Sequence, residues 1–347
     1  MNNFSINSYA SLMDTSGKWW IPGDASMYEL MNLIVNIFMT LNQWLYRVVD
    51  LGLEALLENN VFENTIGSVF SVAVSLYNSL FSALGVTLFI VAIGIIYAVF
   101  AFKSPQDATR QLAALFLVIG INTAIYSNGD GYLKDVNTIF DEVESTMVSS
   151  ISLPMFSQDG TETQLNAGSS DSVTSIREMY HSITIKQSFA MVNFGVSVYE
   201  DRFDDFLYTV EQENDDDAKD DLVELVNEES KSNRYMTPDG VVDKIFISVY
   251  SCVNNLFVGL PLLAIAILKL LLKLLILCML FILPIVSILS LIPRFSHSLL
   301  NALGKMILVF FVGIFLTVAI FLFFFLMTLI DSSVINLAGG SSIVSCL

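Results

Sequence analysis

Two lysines, Lys269 and Lys273, stand four residues apart in the apolar stretch LAIAILKLLLKLLILCMLFILP, residues 263–284. That spacing puts both ammonium groups on one face of a helix. Two chemistries follow. The pair can line a polar conduit inside a membrane, together with Asn122, Asn254 and Asn255, or it can mark a turn at a membrane surface, where lysine side chains reach back to water. A lysine at the bilayer centre costs about 3 kcal/mol. An unbroken helix from Lys244 to Ile292 would be about 74 Å long, against a hydrocarbon core of about 30 Å. The expectation is therefore a cytoplasmic turn at the lysines between spans at 245–268 and 274–292, although no Pro or Gly marks it. Pro261 and Pro284 lie inside these spans and each removes a helix hydrogen bond, so both are expected kink sites. Ser287 and Ser290 are placed to re-satisfy freed carbonyls.

Other chemistry is sparse. His181 and His297 stand far apart, and no HExxH, GxSxG or phosphate-binding loop occurs. Asn128, Asp130 and Asp135 around SNGDGY miss the spacing of a calcium loop, and the run reads as a solvated turn. The acidic run DDDAKDD reads as a solvated charge cluster. Cys252, Cys278 and Cys346 give neither a disulfide framework nor metal spacing. The expectation is a non-enzyme with no cofactor and no metal.

The elements that would carry such residues are membrane helices. The 347 residues are 54% hydrophobic and 14% charged, against about 25% charged in a soluble domain. The reading is an all-α, polytopic helical membrane protein with five firm spans and an amphipathic N-terminal helix that counts as a sixth crossing or as an interfacial helix. A polar N-terminal segment occupies 1–26 and lacks a signal-peptide pattern. An N-terminal membrane region covers 27–126, with helices at about 27–49, 62–102 and 111–126. An acidic, partly helical loop covers 127–243. A C-terminal membrane region covers 244–330, with spans at 245–268, 274–292 and 306–330, and a short tail fills 331–347.

On the first helix Asn32, Asn36, Thr40, Gln43 and Arg47 form one polar stripe, and Trp19, Trp20 and Trp44 suit headgroup depth. On the second, Ser68, Ser71, Ser75, Ser79, Ser82 and Gly85 form a ridge of small residues, the kind that lets membrane helices approach closely. Lys103 and Arg110 flank the turn KSPQDATR, which the positive-inside rule places in the cytoplasm. Residues 127–243 hold 25 acidic and 7 basic residues, while the remaining chain has nine of each, so the whole net charge of −18 belongs to this loop. It is expected outside the cell membrane and makes a poor surface for nucleic acid. A turn at the lysines then leaves Arg294 and Lys305 outside, against the same rule.

The stretch LILCMLFILPIVSILSLIPRFSHSLLNALGKMILVFFVGIFLTVAIFL resembles the closing region of the polytopic membrane subunit of type IV secretion systems, in the version carried by conjugative plasmids and integrative elements of Gram-positive bacteria. Pro284, Ile285, Leu289, Ser290, Leu291, Pro293 and Lys305 carry the resemblance, and ITIKQSFAMVNFG resembles a pre-span motif of the same group. It implies a non-catalytic channel or platform component of a DNA-transfer apparatus, working in the lipid bilayer with other membrane subunits as a homo- or hetero-oligomer. The serine ridge and the polar stripe then become subunit-packing faces. The alternatives are an independent small-solute transporter or channel, and an accessory membrane protein without a conduit.

Overall fold

The computed structural model describes residues 4–14, 24–57, 60–155, 172–197, 199–213 and 215–337. Trp19, Trp20, the linker 157–171 and the side chains of Asn128, Asp130 and Asp135 lie outside the described residues. The helices are α1 Asp24–Leu57, α2 Asn60–Leu80, α3 Val86–Phe102, α4 Pro105–Met155, α5 Ser172–His181, α6 Gln187–Phe194, α7 Asp216–Glu229, α8 Val241–Leu289 and α9 His297–Leu337. A π-helical turn at Phe81–Gly85 joins α2 to α3, and another at Ser182–Lys186 joins α5 to α6. Among the described residues the single β-type pairing is a bridge between Phe4 and Thr209. The protein is an all-α polytopic membrane protein.

Among the described residues four stretches are long and apolar enough to cross a bilayer: Thr65–Phe102, Pro105–Ser127, Pro238–Leu289 and Pro293–Met327. The expected fifth is absent because the turn at Lys269 and Lys273 does not exist: α8 runs unbroken through both. Leucine and isoleucine around the lysines favour helix, and nothing there breaks it. The helix also continues through Pro261 and Pro284. Ser290 Oγ donates to the Ser287 carbonyl at 2.6 Å rather than to the Leu280 carbonyl that Pro284 frees.

A second correction concerns SNGDGY. The expected turn is helical, and α4 passes through it to Met155. Two glycines cost a helix about 1 kcal/mol each. Packing on either side offsets that cost. Before the glycines, the Asn122 amide donates to the Ser287 carbonyl at 3.4 Å, and the Tyr126 hydroxyl meets Ser287 Oγ at 3.0 Å. After them, Phe140 stacks on Phe310 with centroids 4.8 Å apart.

The chain divides into two compact units, one of residues 1–55, 164–265 and 320–347, the other of 56–163 and 266–319. In the first, Val35 and Met39 of α1, Met191 and Val192 of α6, and Val241 and Ile247 of α8 form a buried core. Gly52 and Gly259 let α1 and α8 close together, because a Cβ on Gly52 would lie 2.6 Å from Leu263 and one on Gly259 2.9 Å from Val49. Gly195 ends α6 in the left-handed region at φ 67°, which a side chain would strain. In the second unit, Phe62, Ile66 and Phe70 of α2 pack on Ile276 and Leu280 of α8 and Met306 of α9. Leu115 and Val118 of α4 pack in a core with Leu283, Leu291 and Leu299.

His181 sits edge-on to the rings of Tyr9 and Tyr46, each with centroids 5.5 and 5.3 Å away respectively. Burial first, and then the Lys186 charge, lower its pKa from 6.5 to about 4. The imidazole is therefore neutral in the fold at pH 7, while the unfolded chain takes up a proton once the pH falls below about 6.5. Stability contributed by this residue should be lost between about pH 6.5 and pH 4, by up to about 3 kcal/mol. Thermal unfolding in detergent across that window should show a larger loss in wild type than in His181→Phe, which keeps the ring contacts and cannot titrate.

Candidate functional site

The first unit holds a clamp around the N-terminal segment. Residues 4–14 run beside α1 in the opposite direction, and the polar stripe read from the sequence is the face that holds them. Asn36 Oδ1 accepts from the Ser11 amide at 2.7 Å, and Asn32 Oδ1 accepts from the Ser11 hydroxyl at 2.7 Å. Gln43 donates to the Tyr9 carbonyl at 2.9 Å, and Arg47 to Asn7 Oδ1 at 2.8 Å. Thr40, the remaining member of the stripe, is exposed. From α6, Asn193 accepts from the Leu12 amide at 2.8 Å and donates to the Ala10 carbonyl at 2.9 Å, as a neighbouring strand would. From α8, fully buried Lys244 donates to Ser11 Oγ at 2.9 Å and to the Leu12 carbonyl at 2.6 Å. Non-helical backbone away from water needs such partners, and three helical side-chain amides, of Asn36, Gln43 and Asn193, supply them together with Lys244.

Further along the same helices a buried polar chain ties α1, α5 and α8. Asn255 donates to the Asn42 carbonyl at 2.9 Å and to its Oδ1 at 2.7 Å, Asn42 donates to the Thr184 carbonyl at 2.9 Å, and the Tyr180 hydroxyl donates to Asn255 Oδ1. Arg177 grips Asp50 with two bonds of 2.7 and 2.8 Å and meets Glu54 at 3.0 Å, the planar fork geometry that favours arginine.

The second unit contains the lysine pair. Lys269 and Lys273 are 7% and 9% exposed, so neither reaches a surface. Lys269 Nζ donates to Glu144 Oε1 at 2.6 Å and to Thr317 Oγ1 at 2.9 Å, and the threonine hydroxyl donates to the same carboxylate oxygen at 3.1 Å. Lys273 donates to the Leu57 carbonyl at 3.3 Å, at the last residue of α1, and lies 5.6 Å from the centre of the Phe62 ring. A cation there complements the negative end of that helix. A cleft of about 40 Å³ opens beside the pair, lined by Asp141, Phe140 and Phe310 as well as the charged groups. That is room for water-sized guests.

The structure thus joins Lys269 to Glu144, a residue expected only as part of the solvated loop. The two are 125 positions apart, and the signal available beforehand was the amphipathic repeat Leu133, Val136, Phe140, Val143 and Met147, which marks a helix with one face in need of cover. Lys244, Asn193 and Tyr180 were also missed as polar anchors. The serine ridge faces outward: Ser68, Ser71, Ser75, Ser79 and Ser82 are exposed, and Gly85 is its buried member. The hydroxyls of Ser71 and Ser79 bond back to the Ser68 and Ser75 carbonyls at 2.8 and 2.9 Å. Asn122 and Asn255 enter different polar networks, and among the described residues no group of three or more metal-ligating side chains occurs.

The chain is similar to a protein of Bacillus subtilis (strain 168) named uncharacterized membrane protein YddG, with 23% identity over 294 residues, which is 79% of this chain and 36% of that one. It therefore spans about a third of that relative's length. No known family and no solved structure matches the chain.

Two substitutions separate these networks. Asn193→Ala removes both bonds to the N-terminal segment and one acceptor near Lys244, and should cost about 2 kcal/mol. The expected readout is a lower unfolding temperature with early proteolytic cleavage inside residues 4–14. Lys269→Met leaves Glu144 buried without its cation and should cost about 3–5 kcal/mol, whereas Lys269→Met combined with Glu144→Leu should recover most of it. Thermal unfolding of the three variants in nanodiscs checks this.

Proposed function

We propose that the chain is a non-catalytic structural subunit of a conjugative type IV secretion apparatus, set in the cell membrane with its acidic segment outside. The observation that carries the reading is where the family-resembling residues sit. Ser290, Leu291 and Pro293 build the corner between α8 and α9, and Pro284 lies in the last turns of α8. Ser290 and Leu291 are buried there, and the 3-10 turn Pro293–Phe295 packs on α3 and α4. A motif devoted to fixing a helix corner suits a scaffold, whose work is to hold shape, rather than an enzyme.

The span count supports the orientation. With α8 as one crossing, two crossings separate the helix ends around Lys103 and Arg110 from those around Arg294 and Lys305, so both pairs fall on one face. The positive-inside rule is then met by both connections, and the conflict created by a turn at the lysines disappears. The acidic segment lies on the opposite face. The exposed serine ridge remains available for helices of other subunits.

The cleft beside Lys269 and Glu144 favours a second reading, a conduit for small solutes or protons, because paired charges within apolar helices often mark such paths. Mating assays distinguish the two. Deleting the gene from a donor that carries the parent mobile element should lower transfer at least a hundredfold without changing donor growth, and Ser71→Leu with Ser75→Leu should do the same while the protein still inserts. Normal transfer in the deletion strain, or solute flux through the purified protein in liposomes, would reject the structural role.

A further inference from the structure

A nucleophile, a basic side chain and an oxyanion donor meet at the peptide bond between Ala10 and Ser11. Ser11 is buried, and its Oγ lies 2.9 Å from Lys244 Nζ. Lys244 is fully buried, and its hydrogen-bond partners among the described residues are neutral oxygens: Ser11 Oγ, the Leu12 carbonyl at 2.6 Å and Asn193 Oδ1 at 3.4 Å. Holding a carbonyl takes only a neutral donor, as Asn193 shows at Ala10. A buried lysine is a costly substitute for one. With neutral partners it is also the kind of lysine that serves as a general base, and serine paired with lysine is an established nucleophilic arrangement.

The acyl group for such a serine is already in place. A serine hydroxyl reaches the carbonyl carbon of the residue before it by closing a small ring, so no substrate has to diffuse in. Here that residue is Ala10. Its carbonyl oxygen accepts from Asn193 Nδ2 at 2.9 Å, a preset donor for the charge that grows on this oxygen as the hydroxyl adds. Asn193 is fixed in turn by accepting from the Leu12 amide at 2.8 Å. The nitrogen that has to leave is that of Ser11, and its N–H is held by Asn36 Oδ1 at 2.7 Å. All of these residues belong to the first compact unit.

We propose that the chain cuts itself once, between Ala10 and Ser11. Lys244 Nζ takes the proton of Ser11 Oγ as Oγ bonds to the Ala10 carbonyl carbon. The oxyanion that results sits on the Ala10 oxygen against Asn193. The carbon–nitrogen bond then breaks, the proton passes from Lys244 to the Ser11 nitrogen, and an ester links Ala10 to Ser11 Oγ. Water hydrolyses this ester: its oxygen bonds to the Ala10 carbon, Oγ leaves and recovers a proton, and Ala10 ends as a carboxyl group. Ala10 is only half-buried, which gives water a way to that carbon. Nothing is oxidised or reduced. The short piece stays docked, because the Ser5 amide donates to the Tyr208 carbonyl at 2.9 Å, Arg47 to Asn7 at 2.8 Å and Gln43 to the Tyr9 carbonyl at 2.9 Å. The cut occurs once per chain and adds to a structural role without depending on it.

The test follows the full chain in nanodiscs, with protease inhibitors present. Wild type should develop a new N-terminus at Ser11, read as SLMDT by sequencing, at a rate independent of protein concentration. Neutral hydroxylamine, which cleaves esters, should hasten it. Ser11→Cys should form the thioester instead and be cut at the same bond by added dithiothreitol. Asn193→Ala should slow the cut about a hundredfold, and Lys244→Met should lose it. A wild-type chain that stays whole in hydroxylamine overturns the proposal, whether or not the variants fold. A cut that persists in Lys244→Met, or that stronger protease inhibition suppresses, overturns it too and assigns the cleavage to another protein.

Discussion

A polar group withdrawn from water has to find its partner within the folded chain, and the course of α8 is governed by that requirement. Four of its residues would each be intolerable alone in an apolar setting. Lys244 is met by the N-terminal segment, Asn255 by Asn42 and Tyr180, Lys269 by Glu144 and Thr317, and Lys273 by the last carbonyl of α1. The partners come from the N-terminal segment, α1, α4, α5 and α9. Because every demand is answered within the fold, the helix has no need to break at its lysines. The continuity of α8 and the polar bonds along it are one fact seen twice.

The same requirement explains which parts of the fold could be read in the residues. Composition alone identified an all-α membrane protein, since 14% charge cannot clothe a soluble domain of this size. The stripe Asn32, Asn36, Gln43 and Arg47 was visible as a stripe, because helical spacing is local information. Its occupant was not, because a short polar segment before a helix carries no mark of what it will touch. The lysine pair failed for a sharper reason. Snorkelling to an interface and pairing with a buried acid are alternative answers to a single desolvation cost, and the choice rests on a carboxylate 125 positions away. The glycines of SNGDGY failed similarly: local preference pointed to a turn, while contacts made by Tyr126 on one side and Phe140 on the other held the helix straight.

The polar networks also divide by type. Around the N-terminal segment most partners are amides and hydroxyls, which hold backbone in place without net charge. Around Lys269 the partners are ionic and stand beside a cleft large enough for water. Neutral bonds of the first kind fix the shape of the segment, with the buried amine of Lys244 as their charged exception. An ion pair flanked by Asp141 and Lys273 is a different element, since it sets opposite charges beside a cleft of about 40 Å³. The two kinds of contact give the chain a rigid clamp and a polarisable cleft within one set of helices.

The clamp around residues 4–14 carries a consequence for biogenesis. Ser11 is translated well before Lys244, to which its bond spans 233 positions. At about 5–20 residues per second, translation of that interval takes on the order of 10–50 s. Throughout it the segment has α1 beside it but lacks the far wall of its groove. Closure of the clamp thus waits for α8, and it reports that α8 has been delivered in the right orientation.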